Sequence, residues 1–232
     1  MKNNLEKIIL VSITGKDENA CIEKINELNN LGIKEIGLFL TLLDKRQRKD
    51  VYSNLLQSKI KNIPLVHIRH DMTKDELILL KENFKTKYFT IHEINFLRNN
   101  ILKWIDFYEN LTLEMNFDNF VSKKVKVEEI RGFCVDLAHF KVGMEMLNKD
   151  FDYVYNKKDV PKYFVCNHLN GWNPETNRDM HTVNSLEYFD YLKTMPVFLF
   201  GKCIAIELFN PIKEQLEFKK YLVSLLNERL KK

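Results

Sequence analysis

Eight short apolar runs recur along this chain, each separated from the next by a longer, mostly amphipathic stretch. They span 8–13, 35–40, 65–68, 88–91, 112–115, 132–135, 163–166 and 203–206. Some are almost unbroken in apolar residues, the pattern of parallel strands covered on both faces. The stretches between them carry helix signals. Cys21, Ile22, Ile25, Leu28 and Leu31 recur at helical spacing, and Gly32 supplies a stop. Thr73 and Glu76 form a capping box ahead of Leu77, Leu80 and Phe84. Pro211 suits a first helical turn before Leu216, Leu222, Leu225 and Leu226. The stretch 183–192 also reads as a helix, whereas 117–127 shows no helical stripe. Eight β/α units over 232 residues leave about 29 residues each. That is the short end of the range for a (β/α)8 TIM barrel. An open doubly wound sheet would normally carry a Gly-rich phosphate loop after its first strand, and Ile13-Thr14-Gly15-Lys16 is not one.

No Pro-, Gly- or Ser-rich linker interrupts the chain, so one domain over residues 1–232 is expected. Its 45% hydrophobic content is enough to fill one core. The net charge of +4 permits a polyanionic substrate without arguing for one. The densest basic cluster, Lys45-Arg46-Gln47-Arg48-Lys49, reads as a solvated helix start, with a phosphate-contact role left open. The four cysteines (Cys21, Cys134, Cys166 and Cys203) form no Cys-x-x-Cys pair, and three lie in apolar runs. Buried thiols in a reducing, cytoplasmic compartment fit this pattern. The N-terminal apolar run is too short to span a membrane. Neither membrane association nor an obligate protein partner is expected.

All six histidines lie at or just after an apolar run: His67, His70, His92, His139, His168 and His181. Glu114, Asp136 and Glu207 are placed in the same way, and Asp179, two residues before His181, is read in a polar loop. Taken singly, each has an ordinary explanation, such as a helix cap at Asp136 or a hydrogen-bonded histidine at a strand end. Glu207, inside Ile-Ala-Ile-Glu-Leu-Phe, is harder to dismiss, because an unpaired buried carboxylate is costly. In a (β/α)8 barrel the C-terminal strand ends meet at one mouth. A cluster of Glu114, Asp136 and Glu207 there would repel itself unless cations were present. Imidazole and carboxylate are the usual ligands of zinc, manganese and iron. His67 and His70 compete for one position, one as ligand and the other as its supporting partner.

These segments resemble the xylose isomerase-like barrel superfamily, and within it the endonuclease IV family most of all. Asp136-Leu137-Ala138-His139 is similar to that family's Asp-x-x-His segment, Asn167-His168-Leu169-Asn170 to its His-Leu-Asn segment, and Asp179-Met180-His181 to its Asp-x-His pair. His92, Glu114 and Glu207 fall where its strand-four His and its strand-five and strand-eight Glu would fall. The resemblance implies three metals, commonly zinc with some manganese. His67 or His70 would hold one with His92 and Glu114. Glu114 would bridge to a second, held by Asp136, His168 and Glu207. His139, Asp179 and His181 would hold the third. It also implies hydrolysis of a phosphodiester, in that family at abasic sites in DNA. Departures from the pattern are His92-Glu93-Ile94 in place of His-Pro-Gly, and Thr182-Val183-Asn184-Ser185 in place of a Gly-rich stretch.

Two enzymatic readings follow. The first is a hydrolase of phosphoester bonds with two or three ions. The second is a sugar isomerase or epimerase with one metal, in which Glu114 and Glu207 flank a substrate carbon as acid and base. His92, His139, Asp179 and His181 are surplus to the second reading and favour the first. A third, non-enzymatic reading keeps the barrel as a binding module, and the full ligand set argues against it.

Overall fold

The computed structural model describes residues 2–94, 101–117 and 119–229. In chain order its regular elements begin with α1 (Lys2–Ile8), β1 (Ile9–Leu10), β2 (Ser12–Thr14), α2 (Glu18–Leu31), β3 (Glu35–Phe39) and α3 (Lys45–Gln57). Next come β4 (Asn62–His67), α4 (Lys74–Phe84), β5 (Tyr88–His92), β6 (Leu111–Glu114), β7 (Gly132–Asp136), α5 (Leu137–Met146) and α6 (Lys149–Tyr155). The chain ends with β8 (Phe164–Leu169), β9 (Gly171–Asn173), β10 (Arg178–Met180), β11 (Ile204–Ile206) and α7 (Ile212–Arg229). Short 3-10 turns fill several of the remaining connections, including Ile101–Phe107 and Leu186–Lys193.

The main sheet runs β1-β11-β8-β7-β6-β5-β4-β3-β2 with every neighbour parallel. β1 and β2 are two halves of one stave divided at Val11, the first pairing with β11 and the second with β3. Eight staves therefore close on one another, and the fold is the TIM barrel expected. Buried apolar side chains form one cluster among Leu10, Leu65, Cys134, Cys166 and Ala205 inside the barrel, and two larger clusters between staves and helices.

The seam at Val11 has its own fastening. Gln215, on α7 and fully buried, accepts from Ser12 N at 2.8 Å. Its amide donates to Ser12 O at 3.2 Å, Leu208 O at 3.3 Å and Asn210 O at 3.0 Å. Its carboxamide thus takes the place of a strand peptide where the first stave switches partners. Lys24, also buried, donates to Leu208 O at 2.7 Å. The loop that carries Glu207 into the mouth is tied down from two helices.

Several local expectations change in the structure. β4 starts at Asn62 rather than at Leu65, because Pro64 falls where the β3–β4 register shifts and no donor is needed there. β8 continues to Leu169, so His168 lies within a strand rather than beyond one. The helix expected over 183–192 is a 3-10 turn from Leu186 to Lys193. Asp179 sits on the antiparallel β9–β10 hairpin, not in an irregular loop. The Lys45–Lys49 cluster does open a helix, capped by Asp44, but Arg48 is fully buried against Glu76 (2.8 Å) and Asp71 (3.0 Å) and is not solvated. All four cysteines are free and buried. No helix among the described residues is long and apolar enough to cross a membrane.

Gln215→Leu leaves the Ser12 N–H and three carbonyls without this partner. It is expected to cost about 2–4 kcal/mol of stability in urea unfolding of chelator-treated protein. A loss within 0.5 kcal/mol would mean that the seam does not depend on it.

Candidate metal centre

Period-two alternation selects the side chains that reach the mouth. Phe39, His67, His92, Glu114 and Asp136 each end a strand, His168 stands one residue before the end of β8, and Glu207 follows β11. Two residues below them lie mostly small side chains: Gly37, Thr90, Thr112, Cys134, Cys166 and Ala205. A Cβ at Gly37 would meet the Ala205 Cβ at 2.6 Å, so no side chain fits there. The Thr90 and Thr112 hydroxyls are 3.0 Å apart and continue this floor.

Three donors arrive by other routes. Asp136 is the N-cap of α5, accepting from His139 N at 2.8 Å, and so places His139 in the first helical turn beside the mouth. Asp179 and His181 come in from the β9–β10 hairpin.

Glu114 is the hub. Its Oε2 is 2.9 Å from His168 Nδ1 and 3.4 Å from His67 Nε2. Its Oε1 is 3.4 Å from His139 Nδ1 and 4.0 Å from His92 Nδ1. Glu207 Oε2 lies 3.5 Å from His168 Nδ1. On the far side of His139, Asp179 Oδ2 is 3.5 Å from His139 Nε2 and 3.0 Å from His181 Nε2. The close approaches to Glu114 lack hydrogen-bond alignment. Both Glu114 oxygens, both nitrogens of His67 and of His168, and Nδ1 of His92 and of His139 are buried without a hydrogen-bond partner. Leaving so many polar atoms unsatisfied is costly, unless something else binds them.

Four groups of donors have their ligand atoms within 4.8 Å of one another: His67, His92, Glu114; His67, His168, Glu207; His139, Asp179, His181; and Glu114, Asp136, His139. Buried imidazole nitrogens and carboxylate oxygens in this arrangement can hold metal ions, and the donor chemistry fits zinc, manganese or iron. Nine of the ten predicted ligands meet here. His70 does not: it lies on the turn beyond β4 and belongs to none of these groups, its backbone carbonyl accepting from Lys103 Nζ. Of His67 and His70, His67 is the one brought among the other donors.

Sequence reasoning missed the supports. Asn170, buried just after β8, donates from Nδ2 to Asp136 Oδ2 at 3.1 Å, and Tyr191 OH donates to Asn170 O at 3.0 Å. His181 Nδ1 is 3.1 Å from Glu207 O. A carbonyl can only accept, so Nδ1 carries the hydrogen in that contact and Nε2 is the nitrogen turned to Asp179. Asn170, two residues after His168, was visible in the sequence, but its reach to Asp136 was not.

The buried donors set one another's charge. Burial opposes ionisation of Glu114, but His168, His92 and His67 hold its carboxyl well below the usual range. Burial pushes His67 and His92 down. Burial also opposes protonation of His139, yet Asp136, Asp179 and Glu114 hold it well above its ordinary value. His168 is likewise raised against burial, by Cys134 and Glu114. His181 rises to about 9 despite burial, through Asp179 and the Glu207 and Asp136 charges. Glu207 rises to about 7, chiefly from burial, with Glu114 and Asp136 adding to it.

No family model matches this chain, and no curated protein matches it either.

These shifts predict how metal-free protein responds to pH. His181 keeps its proton to about 9 when folded, against 6.5 otherwise. Its contribution is fully present below pH 6.5 and is lost as pH rises through 9. His139 and His168 act in the same direction, Glu207 adds to the fall up to about 7, and the lowered His67 and His92 oppose it only near pH 6.5. Chelator-treated protein should therefore lose on the order of 1 kcal/mol or more between about pH 6.5 and 8 in urea melts. Added zinc should abolish the decline, because bound metal displaces those protons. A metal-free stability that is flat or rising over this range would contradict the arrangement.

Proposed function

We propose that this protein is a metal-dependent hydrolase of phosphoester bonds, using two or three divalent cations. Zinc is the first choice, with manganese or iron as alternatives, in a reducing, cytoplasmic setting. The observation that carries this reading is that the donor groups share members. Glu114, His67 and His139 each belong to two of them. Shared ligands suit adjacent cations better than one isolated ion.

His67, His92 and Glu114 would hold one cation; Glu114, Asp136, His168 and Glu207 a second; His139, Asp179 and His181 a third. Cations held there would make hydroxide available near neutral pH and neutralise phosphoryl oxygens during an in-line displacement. The protein's own work is to fix that charge in place and keep the surroundings dry. Asp136 is oriented by Asn170 and by the first turn of α5. Glu114, ionised and in reach of four imidazoles, would be shared between the first two cations. Glu207, whose carboxyl burial raises to about 7 in the absence of metal, would release that proton on taking up a cation. The resemblance to endonuclease IV makes a phosphodiester the substrate class and abasic DNA one candidate.

One observation favours the single-metal isomerase reading: Glu114 and Glu207 converge on the same His168 nitrogen, at 2.9 and 3.5 Å. Metal counting separates the two. Chelator-treated protein reconstituted with zinc or manganese should hold two or three ions per chain and hydrolyse bis-p-nitrophenyl phosphate or nick an abasic duplex. His181→Ala should lose one ion with the far-UV circular dichroism unchanged. Its activity should fall by more than the roughly 100-fold typical of disturbing a ligand's supporting partner. One ion per chain, without phosphodiesterase activity, would transfer the proposal to the isomerase.

A further inference from the structure

The donor groups open into a cavity of about 330 Å³ whose lining is divided in character. One flank is His67, His92, Glu114, His139, His181 and Glu207. The other includes Phe39, Leu42 and Phe209, with Thr14, Gly15 and Thr41. Among the described residues, no lysine or arginine lines it. The Lys16 ammonium, outside this lining, lies over the Phe209 ring, with Nζ 5.3 Å from its centre.

The backbone carrying two of the apolar side chains is held by polar ties. Leu42 is 54% exposed, on a tight turn in which Leu43 N donates to Leu40 O at 3.1 Å. The Leu43 carbonyl accepts from Arg48 Nη1 at 2.9 Å and Arg69 Nη1 at 3.1 Å. One exposed leucine is ordinary. Here it lines the same cavity as Phe209, whose N–H donates to His181 O at 2.6 Å and whose ring centre is 5.8 Å from that of His181. The neighbouring Leu208 carbonyl is fixed by Lys24 and Gln215. A backbone fixed before the ligand arrives loses little freedom on binding.

We propose that the substrate is a small, singly charged phosphodiester bearing an apolar ring, with the ring seated on Leu42 and Phe209 and the phosphoryl group turned to the His and carboxylate flank. This rests on the hydrolase reading and narrows it. The volume is near the lower end of small-molecule sites, which run from about 300 to 1,000 Å³. It holds a ring and a phosphoryl group. A lining without guanidinium or ammonium groups leaves neutralisation of the phosphoryl charge to the cations. That suits a monoanionic diester better than a dianionic monoester.

The test compares two monoanions by titration calorimetry on the zinc-loaded full chain: methyl phenylphosphonate and methyl methylphosphonate. The phenyl compound should bind at least ~10-fold more tightly, from ring burial and aromatic contact. Phe209→Ala and, separately, Leu42→Ser on its exposed turn should bring the ratio of the two affinities close to one, with the metal count unchanged. Equal affinities in the parent protein with metals bound would overturn this proposal and leave the hydrolase reading standing. So would a preference that survives both substitutions. Absence of bound metal would overturn the hydrolase reading and this one with it.

Discussion

Glu114 is a buried anion surrounded by four imidazoles, and the mouth of the barrel is organised around its need for positive charge. A carboxylate at 1% exposure cannot remain ionised in an apolar interior without compensation. Without cations, raised protonation of His139 and His168 supplies that charge. Cations would do the same work and free the imidazole nitrogens to act as ligands. These close contacts lack hydrogen-bond alignment, and their buried atoms could serve as donors to a metal ion.

Everything beneath this cluster serves to bring it together. Closure of eight parallel staves carries residues from distant parts of the chain to one end. Strand alternation turns alternate positions inward, and the small layer at Gly37, Thr90, Thr112 and Ala205 lets the larger donors above approach one another. At Val11 the first stave changes partner. Gln215 restores the missing peptide contacts there and, with Lys24, anchors the loop carrying Glu207 and Phe209. The seam and the site are therefore mechanically linked through the Leu208 carbonyl.

Much of this was legible in the amino-acid order, because period-two apolar runs and strand-end donors are local signals. Every predicted run overlaps a stave of the barrel, and nine of the ten donors lie in the mouth. What failed depended on neighbours distant in sequence. His67 and His70 follow the same apolar run, and only the inward turn of the last residue of β4 separates them. Arg48 looks like one charge in a solvated cluster, but Glu76 and Asp71 draw it into the interior. Asn170 and Gln215 are single polar residues without local pattern, and their roles exist only across strands. The β9–β10 hairpin was missed because its strands are three residues each, too short for alternation to register.

The most direct test of the central claim is an anomalous-difference map from crystals of zinc- or manganese-reconstituted protein. Peaks should lie between His67, His92 and Glu114, and between His139, Asp179 and His181, with Glu114 or His139 in reach of more than one peak. Peaks confined to the surface, or a mouth in which these side chains hydrogen-bond to one another around no ion, would contradict it.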